Sequence, residues 1–338
     1  MLRFSVLLSV VLALFVVACG GGNKQQATPR DPVQNVPDEN GVRTSVKEAS
    51  VPEDAEFPSS KGKTLQQLAD GMTAGPQLAL ATSVFTTGGP SRIAFGMIAS
   101  DGSPVYGPTA IYVAPTPADP AVGPFVAPAD VLLTDPRYRS KQAATEQDPF
   151  AAIYAADVDF PKRGQYAVLS ATKGADGKFS GATSQVQVST ESADPIPSVG
   201  DDAPVVQTDT LESVKGDQAK LDTREPPSDM HANFADVVGK KPVALLFATP
   251  QLCASRVCGP VTDIALQLKA KYGGQMDFIH QEVYVDNDVS KGLREPLRQF
   301  NLPSEPWLFI VDKNGKITSR LEGSIGVKQF EDAIKTGL

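Results

Sequence analysis

The sequence predicts an all-β region followed by an α/β region, and three observations carry that prediction. Val243, Ala244, Leu245, Leu246 and Phe247 form an unbroken apolar run, as a strand buried on both faces requires. Pro260 to Tyr272 places apolar residues at Val261, Ile264, Leu266, Leu268 and Ala270 and is followed by Gly273 and Gly274, the pattern of an amphipathic helix with a glycine stop. Between residues 77 and 190, short strand-like segments alternate with Gly, Pro and Asp turns, which points to an antiparallel sandwich.

With 338 residues the chain has room for two domains and some linker. A net charge of −8 without a basic cluster argues against nucleic acid and against electrostatic docking to a membrane. Low aromatic content and 28 prolines predict that part of the chain is irregular.

Arg3 followed by the apolar stretch Phe4 to Val17 reads as a signal peptide, too short to span a bilayer. Val16-Val17-Ala18-Cys19 resembles a bacterial lipobox. That resemblance implies cleavage after residue 18, lipid attachment at Cys19 and anchoring on the extracytoplasmic face of a bacterial cell membrane. Of the three cysteines this leaves Cys253 and Cys258, and outside the cytoplasm a remaining pair is disulfide-competent.

Residues 19–75 are too poor in large apolar side chains to offset ordering entropy and are expected to be a disordered tether. One exception within it is Thr64-Leu65-Gln66-Gln67, which matches a capping box and predicts a short helix to Gly71. In the sandwich, residues 76–192, the expected strands are Leu78–Phe85, Arg92–Ile98, Ala110–Val113, Ala155–Phe160, Gly164–Ser170 and Ala182–Val188, with a turn at Asp101-Gly102. Pro115 to Pro149 reads as a long Pro- and Asp-rich insertion. This region resembles small immunoglobulin-like modules of envelope proteins, without their usual disulfide or buried tryptophan, since Trp307 is the single tryptophan.

The α/β region, residues 193–338, continues with a strand from Phe278 to Val285, a helix from Leu293 to Phe300, and Leu302-Pro303-Ser304-Glu305-Pro306-Trp307-Leu308-Phe309-Ile310-Val311. Asp312-Lys313-Asn314-Gly315-Lys316 is a hairpin turn in which Asn-Gly supplies positive φ angles. Val199-Gly200-Asp201-Asp202-Ala203-Pro204 resembles the entry segment of peroxiredoxin-like and membrane-tethered oxidoreductases. Taken with the cysteine segment, this order resembles a thioredoxin-fold domain of the membrane-tethered thiol-disulfide oxidoreductase and Sco type. The resemblance implies a cis-proline at Pro306 facing the cysteines as a clamp on substrate backbone. Spacing departs from the family pattern: the motif here is C-x4-C.

Several residues have a functional and a bland reading. Two thiols between a buried strand and a helix stand where α/β folds place their chemistry. Five residues along a continuous helix would hold them too far apart, because a disulfide needs Cα atoms within about 7 Å. Pro260 favours a helix starting near Gly259, so that the bridge can close. Cys258 would then lie at a helix N-terminus, which favours its thiolate, and Arg256 could add to this. Thioredoxin analogy instead makes Cys253 the exposed attacker. Trp307 either lines the site or is a core aromatic. His280 reads as a satisfied core residue and His231 as a surface cap of a helical segment to Val238. Asp286 and Asp288 read as a solvated turn. The histidine of a Sco copper site is missing at Ser304-Glu305-Pro306, although thiolates suit Cu(I), and Thr249-Pro250 stands in the wrong order for a peroxiredoxin. No cofactor and no metal ligand is assigned.

These readings predict an anchored thiol-disulfide oxidoreductase working through Cys253, Cys258 and Pro306, with protein thiols and disulfides as partners. The competing class is a binding lipoprotein with a structural disulfide, or a Sco-like copper-handling protein.

Overall fold

The computed structural model describes residues 31–141, 150–253 and 257–338. Cys19, the expected lipid-attachment residue, and its signal segment therefore lie outside the described residues. From Asp31 to Leu338 the chain forms one compact unit.

That unit begins where the tether was expected. Asp31 accepts a hydrogen bond from the Val33 N–H and starts a short 3-10 turn, and α1 (Val42–Ala49) follows. Val33, Val36, Val46 and Ala49 are buried in the same apolar cluster as Phe95 and Tyr154 of the sandwich. Residues 31–63 are thus a folded strap and not a disordered tether. Their few apolar side chains suffice because the surface receiving them is already built. The capping box forms as predicted: Thr64 accepts from the Gln67 N–H, Gln67 accepts from the Thr64 N–H, and α2 (Leu65–Asp70) follows.

Among the described residues the all-β region has ten strands: β1 (Thr73–Ala74), β2 (Gln77–Leu80), β3 (Phe85–Thr86), β4 (Pro90–Ile98), β5 (Thr109–Ala114), β6 (Val122–Val126), β7 (Ala129–Val131), β8 (Ala152–Asp159), β9 (Gly164–Lys173) and β10 (Phe179–Ser189). One sheet has the order β1-β10-β9-β5-β6, with β3 also paired to β10; the other is β2-β4-β8-β7. Ile93, Phe95 and Tyr154 of one sheet and Ile111, Val168 and Val186 of the other share a single core. The segment expected as one strand, Leu78 to Phe85, is two, because the chain crosses between sheets at residues 81–84. The expected insertion contains β6 and β7; its residues 142–149 lie outside the described residues.

In the second region α3 (Gln218–Leu221) and α4 (Phe234–Val237) precede β11 (Val243–Phe247), α5 (Cys258–Tyr272), β12 (Asp277–Gln281), α6 (Glu295–Gln299), β13 (Trp307–Val311), β14 (Ile317–Glu322) and α7 (Val327–Gly337). The sheet order is β12-β11-β13-β14, with β11 parallel to β12 and β13 antiparallel to both neighbours. This is the thioredoxin arrangement, a central strand followed by a helix that begins at Cys258, and a terminal hairpin followed by a helix. Strand alternation separates the two faces: Leu308 and Ile310 pack with α5 and α7, whereas Trp307, Phe309 and Val311 pack with Phe234, Leu297 and Phe300. At the hairpin only Gly315 takes a positive φ, 86°; Asp312 accepts from the Gly315 N–H, and the ladder shifts register beside Val311.

Among the described residues no sheet runs from one region into the other. Their cores nevertheless merge, since Leu132 and Ile153 of the sandwich join Leu308, Ile310 and Phe330 in one cluster. Two separate modules on a linker were expected; the contact is continuous because glycine permits it. A Cβ on Gly323, whose φ is 75°, would stand 1.8 Å from the Ala81 carbonyl oxygen, and one on Gly326 would stand 2.2 Å from the Asp130 carboxyl carbon. Asp130 accepts from the Lys328 and Gln329 N–H groups at the start of α7. Arg92 donates to the Glu322 and Ser324 carbonyls and to Gln329. No helix among the described residues is long and apolar enough to cross a membrane.

Candidate thiol site

β11 is five residues of buried hydrocarbon, and it ends where the chain needs polar groups again. Beyond it, Ala248 still donates to the Gln281 carbonyl of β12, and then Thr249 to Cys253 coil into a single turn, with the Leu252 and Cys253 N–H groups both directed at the Thr249 carbonyl. α5 begins at Cys258, one residue before the expected start, with Pro260 in its first turn where a missing N–H costs nothing. Residues 254–256 lie outside the described residues, Arg256, the candidate lining residue, among them.

The two thiols meet. Cys258 is hydrogen-bonded to the side chain of Cys253. Cys258 is fully buried, whereas Cys253 keeps 8 % of its surface exposed. Burial pushes the Cys258 thiol well above its usual range, and Cys253 and Glu305 add to this; a backbone hydrogen bond from Thr249 pulls the other way. The expectation that the helix N-terminus lowers the Cys258 thiol is therefore not met: desolvation inside the protein outweighs the helix N-terminus.

The Glu305–Pro306 peptide is cis, as the family resemblance implied. The β11–β13 register pairs Phe247 with Trp307, so Pro306 stands at the same end of the sheet as the cysteine loop. Glu305 interacts electrostatically with both sulfurs, and burial together with Cys253 raises its carboxyl pKa. Tyr284 faces the same group: burial, Glu305 and both cysteines raise its phenol. The loop carrying Pro306 is held from behind. Ser304 accepts from the Trp307 indole N–H and donates to Glu322, and Glu322 accepts from the N–H groups of Ser83 and Val84 in the sandwich.

Trp307 does not line the thiol site. It lies on the opposite face of the sheet, stacked on Phe309 and covered by the Arg320 guanidinium. His231 is not a surface cap either: its ring bonds Asp222, and α4 begins three residues later. His280 is buried on β12 and donates from Nε2 to the Ala248 carbonyl. Asp286 forms ion pairs with Lys220 and Lys291, consistent with a solvated turn. Glu305, Tyr284 and Glu322 were missed. Glu305 was legible as the residue before a candidate cis-proline; the other two lack a local signal, because their role arises from packing.

The sequence matches no protein-family model and no curated relative. Among solved structures, a protein described as thiol:disulfide interchange protein DsbE from Chlorobium tepidum is similar at 17 % identity, with TM-score 0.31 over 41 % of this chain and 97 % of its own. A thioredoxin-like superfamily protein is similar at 14 % identity, TM-score 0.24, over 32 % of this chain and 87 % of its own. A thioredoxin-family thiol:disulfide interchange protein from Chlorobium tepidum TLS is similar at 14 % identity, TM-score 0.28, over 42 % of this chain and 98 % of its own. At such scores the fold rests on the strand order itself.

Proposed function

We propose that the protein is a membrane-anchored, extracytoplasmic thiol-disulfide oxidoreductase that works through Cys253 and Cys258. One observation carries this reading: the two thiols touch at the carboxyl end of the central strand, Cys258 fully enclosed and Cys253 the less buried of the pair. A static bridge needs no such asymmetry. An exchange reaction does, because the attacking sulfur has to meet a partner while the resolving sulfur is kept from it.

In the reductive direction the Cys253 thiolate attacks one sulfur of a partner disulfide. A Cys253–partner bond forms, the partner S–S bond breaks, and the second partner sulfur leaves as a thiolate. Cys258 then gives up its proton and attacks the Cys253 sulfur, which releases the first partner sulfur and closes the Cys253–Cys258 bridge. The partner gains two electrons and the pair loses two. Glu305 is the carboxyl beside both sulfurs and is the acceptor for the Cys258 proton. Run in reverse, the same steps oxidise a partner.

The sandwich supports an immunoglobulin-like reading, since β2-β4-β8-β7 facing β10-β9-β5-β6 follows the strand order of such modules, with β3 as an extra edge strand on β10. Lipidation at Cys19 would hold the unit at the membrane. Copper handling of the Sco type gains no support, because both histidines gather around Asp222.

The test is a Cys258→Ala variant of the full chain incubated with an oxidised protein substrate. A mixed disulfide through Cys253 is expected to accumulate, and the intact pair should turn over that substrate with dithiol. Absence of both the trapped species and the turnover would leave a structural role only. Mass spectrometry of membrane-extracted protein tests the anchor: an unmodified residue at the mature N-terminus would exclude it.

A further inference from the structure

Behind the thiol loop lies a second cluster of chemistry-bearing side chains. Asp222, His231 and His280 each direct one ligand-type atom to a common point, all within 4.8 Å of one another. His280 is 1 % exposed, and its Nε2–H is committed to the Ala248 carbonyl at 3.0 Å. Its other nitrogen, Nδ1, faces Asp222 Oδ1 at 3.6 Å and makes no hydrogen bond. A ring nitrogen whose partner N–H is fixed by a backbone carbonyl has the tautomer and aim of a metal ligand. His231 Nε2 lies 3.0 Å from Asp222 Oδ2. Asp222 itself is oriented by the N–H groups of Arg224, at 2.8 Å, and Ser228, at 2.7 Å.

Charge points the same way. Glu282 is also buried here; Oε1 accepts from the Thr223 N–H and hydroxyl, and Oε2 has no partner. Two buried acidic side chains thus flank two imidazoles. Among the described residues no lysine or arginine forms an ion pair with Asp222 or Glu282; Asp222 pairs with the two imidazoles, and the nearby Arg224 is bonded to Asp263. Buried carboxylates are ordinarily paired with a cation or bound to a metal.

We propose that Asp222, His231 and His280 bind a first-row divalent cation, for which zinc is the best fit to two imidazoles and one carboxylate. One ligand atom from each residue lies within 4.8 Å of the other two, so a small inward adjustment of the side chains would bring them to the edge of roughly 3.4 Å expected of a tetrahedron with bonds of about 2.0–2.1 Å. Water takes the fourth position. Entry is past His231, whose side chain is 9 % exposed where that of Asp222 is closed off. The ion would staple the 222–231 segment to β12, directly behind Ala248, from which the cysteine loop departs. This site needs neither sulfur, so it stands or falls apart from the exchange reaction.

The test is calorimetric titration of zinc into the metal-stripped full chain carrying Cys253→Ala and Cys258→Ala, which removes thiol coordination. One zinc per chain is expected. His231→Ala, at the mouth, should weaken binding at least about 100-fold, since loss even of residues supporting a ligand costs 10–100-fold. Zinc should raise the melting temperature of the double variant and leave that of His231→Ala in the same background unmoved. No stoichiometric binding, or binding indifferent to His231→Ala, would overturn the site. Should that variant misfold, X-ray absorption of the zinc-loaded unsubstituted chain decides: a nitrogen and oxygen shell with imidazole scattering supports the site, and a sulfur shell refutes it.

Discussion

The Cys258 thiol is fully enclosed and hydrogen-bonded to Cys253, the less buried of the two. The enclosed sulfur holds its proton because its anion would be desolvated. In the reduced protein at pH 7, alkylation should therefore occur at Cys253 at least about tenfold faster than at Cys258, since only a thiolate with access reacts. Peptide mass spectrometry over a time course checks this, and equal rates would contradict the assigned roles.

Glu305 repels negative charge on both sulfurs. Glu305→Gln removes that repulsion and should lower the pH midpoint of Cys253 alkylation by about half a unit. Because the same carboxyl is the acceptor proposed for the Cys258 proton, the resolving step should slow while the first attack quickens. Stopped-flow separation of the two phases reads both effects.

Glu322 ties the Pro306 loop to the sandwich through Ser83, Val84 and Ser304. Glu322→Ala leaves the Ser83 and Val84 N–H groups without their acceptor, which should cost about 3 kcal/mol in chemical denaturation. A loss confined to a few tenths would show that this carboxylate is a surface ornament of the fold.

Asp130, buried against the first turn of α7, has its pKa raised to about 6 by burial, against the pull of the Gln329 and Lys328 N–H groups and Arg92. A carboxyl that holds its proton more tightly in the folded chain favours folding most at low pH. Its contribution therefore falls as pH rises from about 4 to about 6, by roughly 2–3 kcal/mol. Asp130→Asn should lose this slope, so the stability difference between variant and parent changes across that window and is flat above it. Denaturation at a series of pH values reads the difference directly.

Much of the thiol region was legible because its signals are local. A fully apolar β11, the helical period of α5, the glycine in the 312–316 turn and the Thr64 capping box each follow from short-range rules. Pro306 was legible only through the family resemblance. What was not legible depends on surfaces assembled from distant residues. Val33, Val36 and Val46 are sparse in sequence and become a strap only against the sandwich. Burial of Cys258 reverses the effect of its helix terminus. Trp307 was ambiguous because strand alternation assigns it a face only once the direction of Leu308 is known.

The close approach at Gly323 and Gly326 has a further consequence for partners. Because the sandwich and the thiol domain share one core across this seam, the two surfaces are presented at a set spacing and angle. A partner that touched both would gain avidity without the dilution a flexible tether imposes. One whose disulfide lay at the wrong offset from its sandwich contact would gain none. Geometry across the seam would then select substrates as a template does, and the chemistry at Cys253 could remain unspecialised.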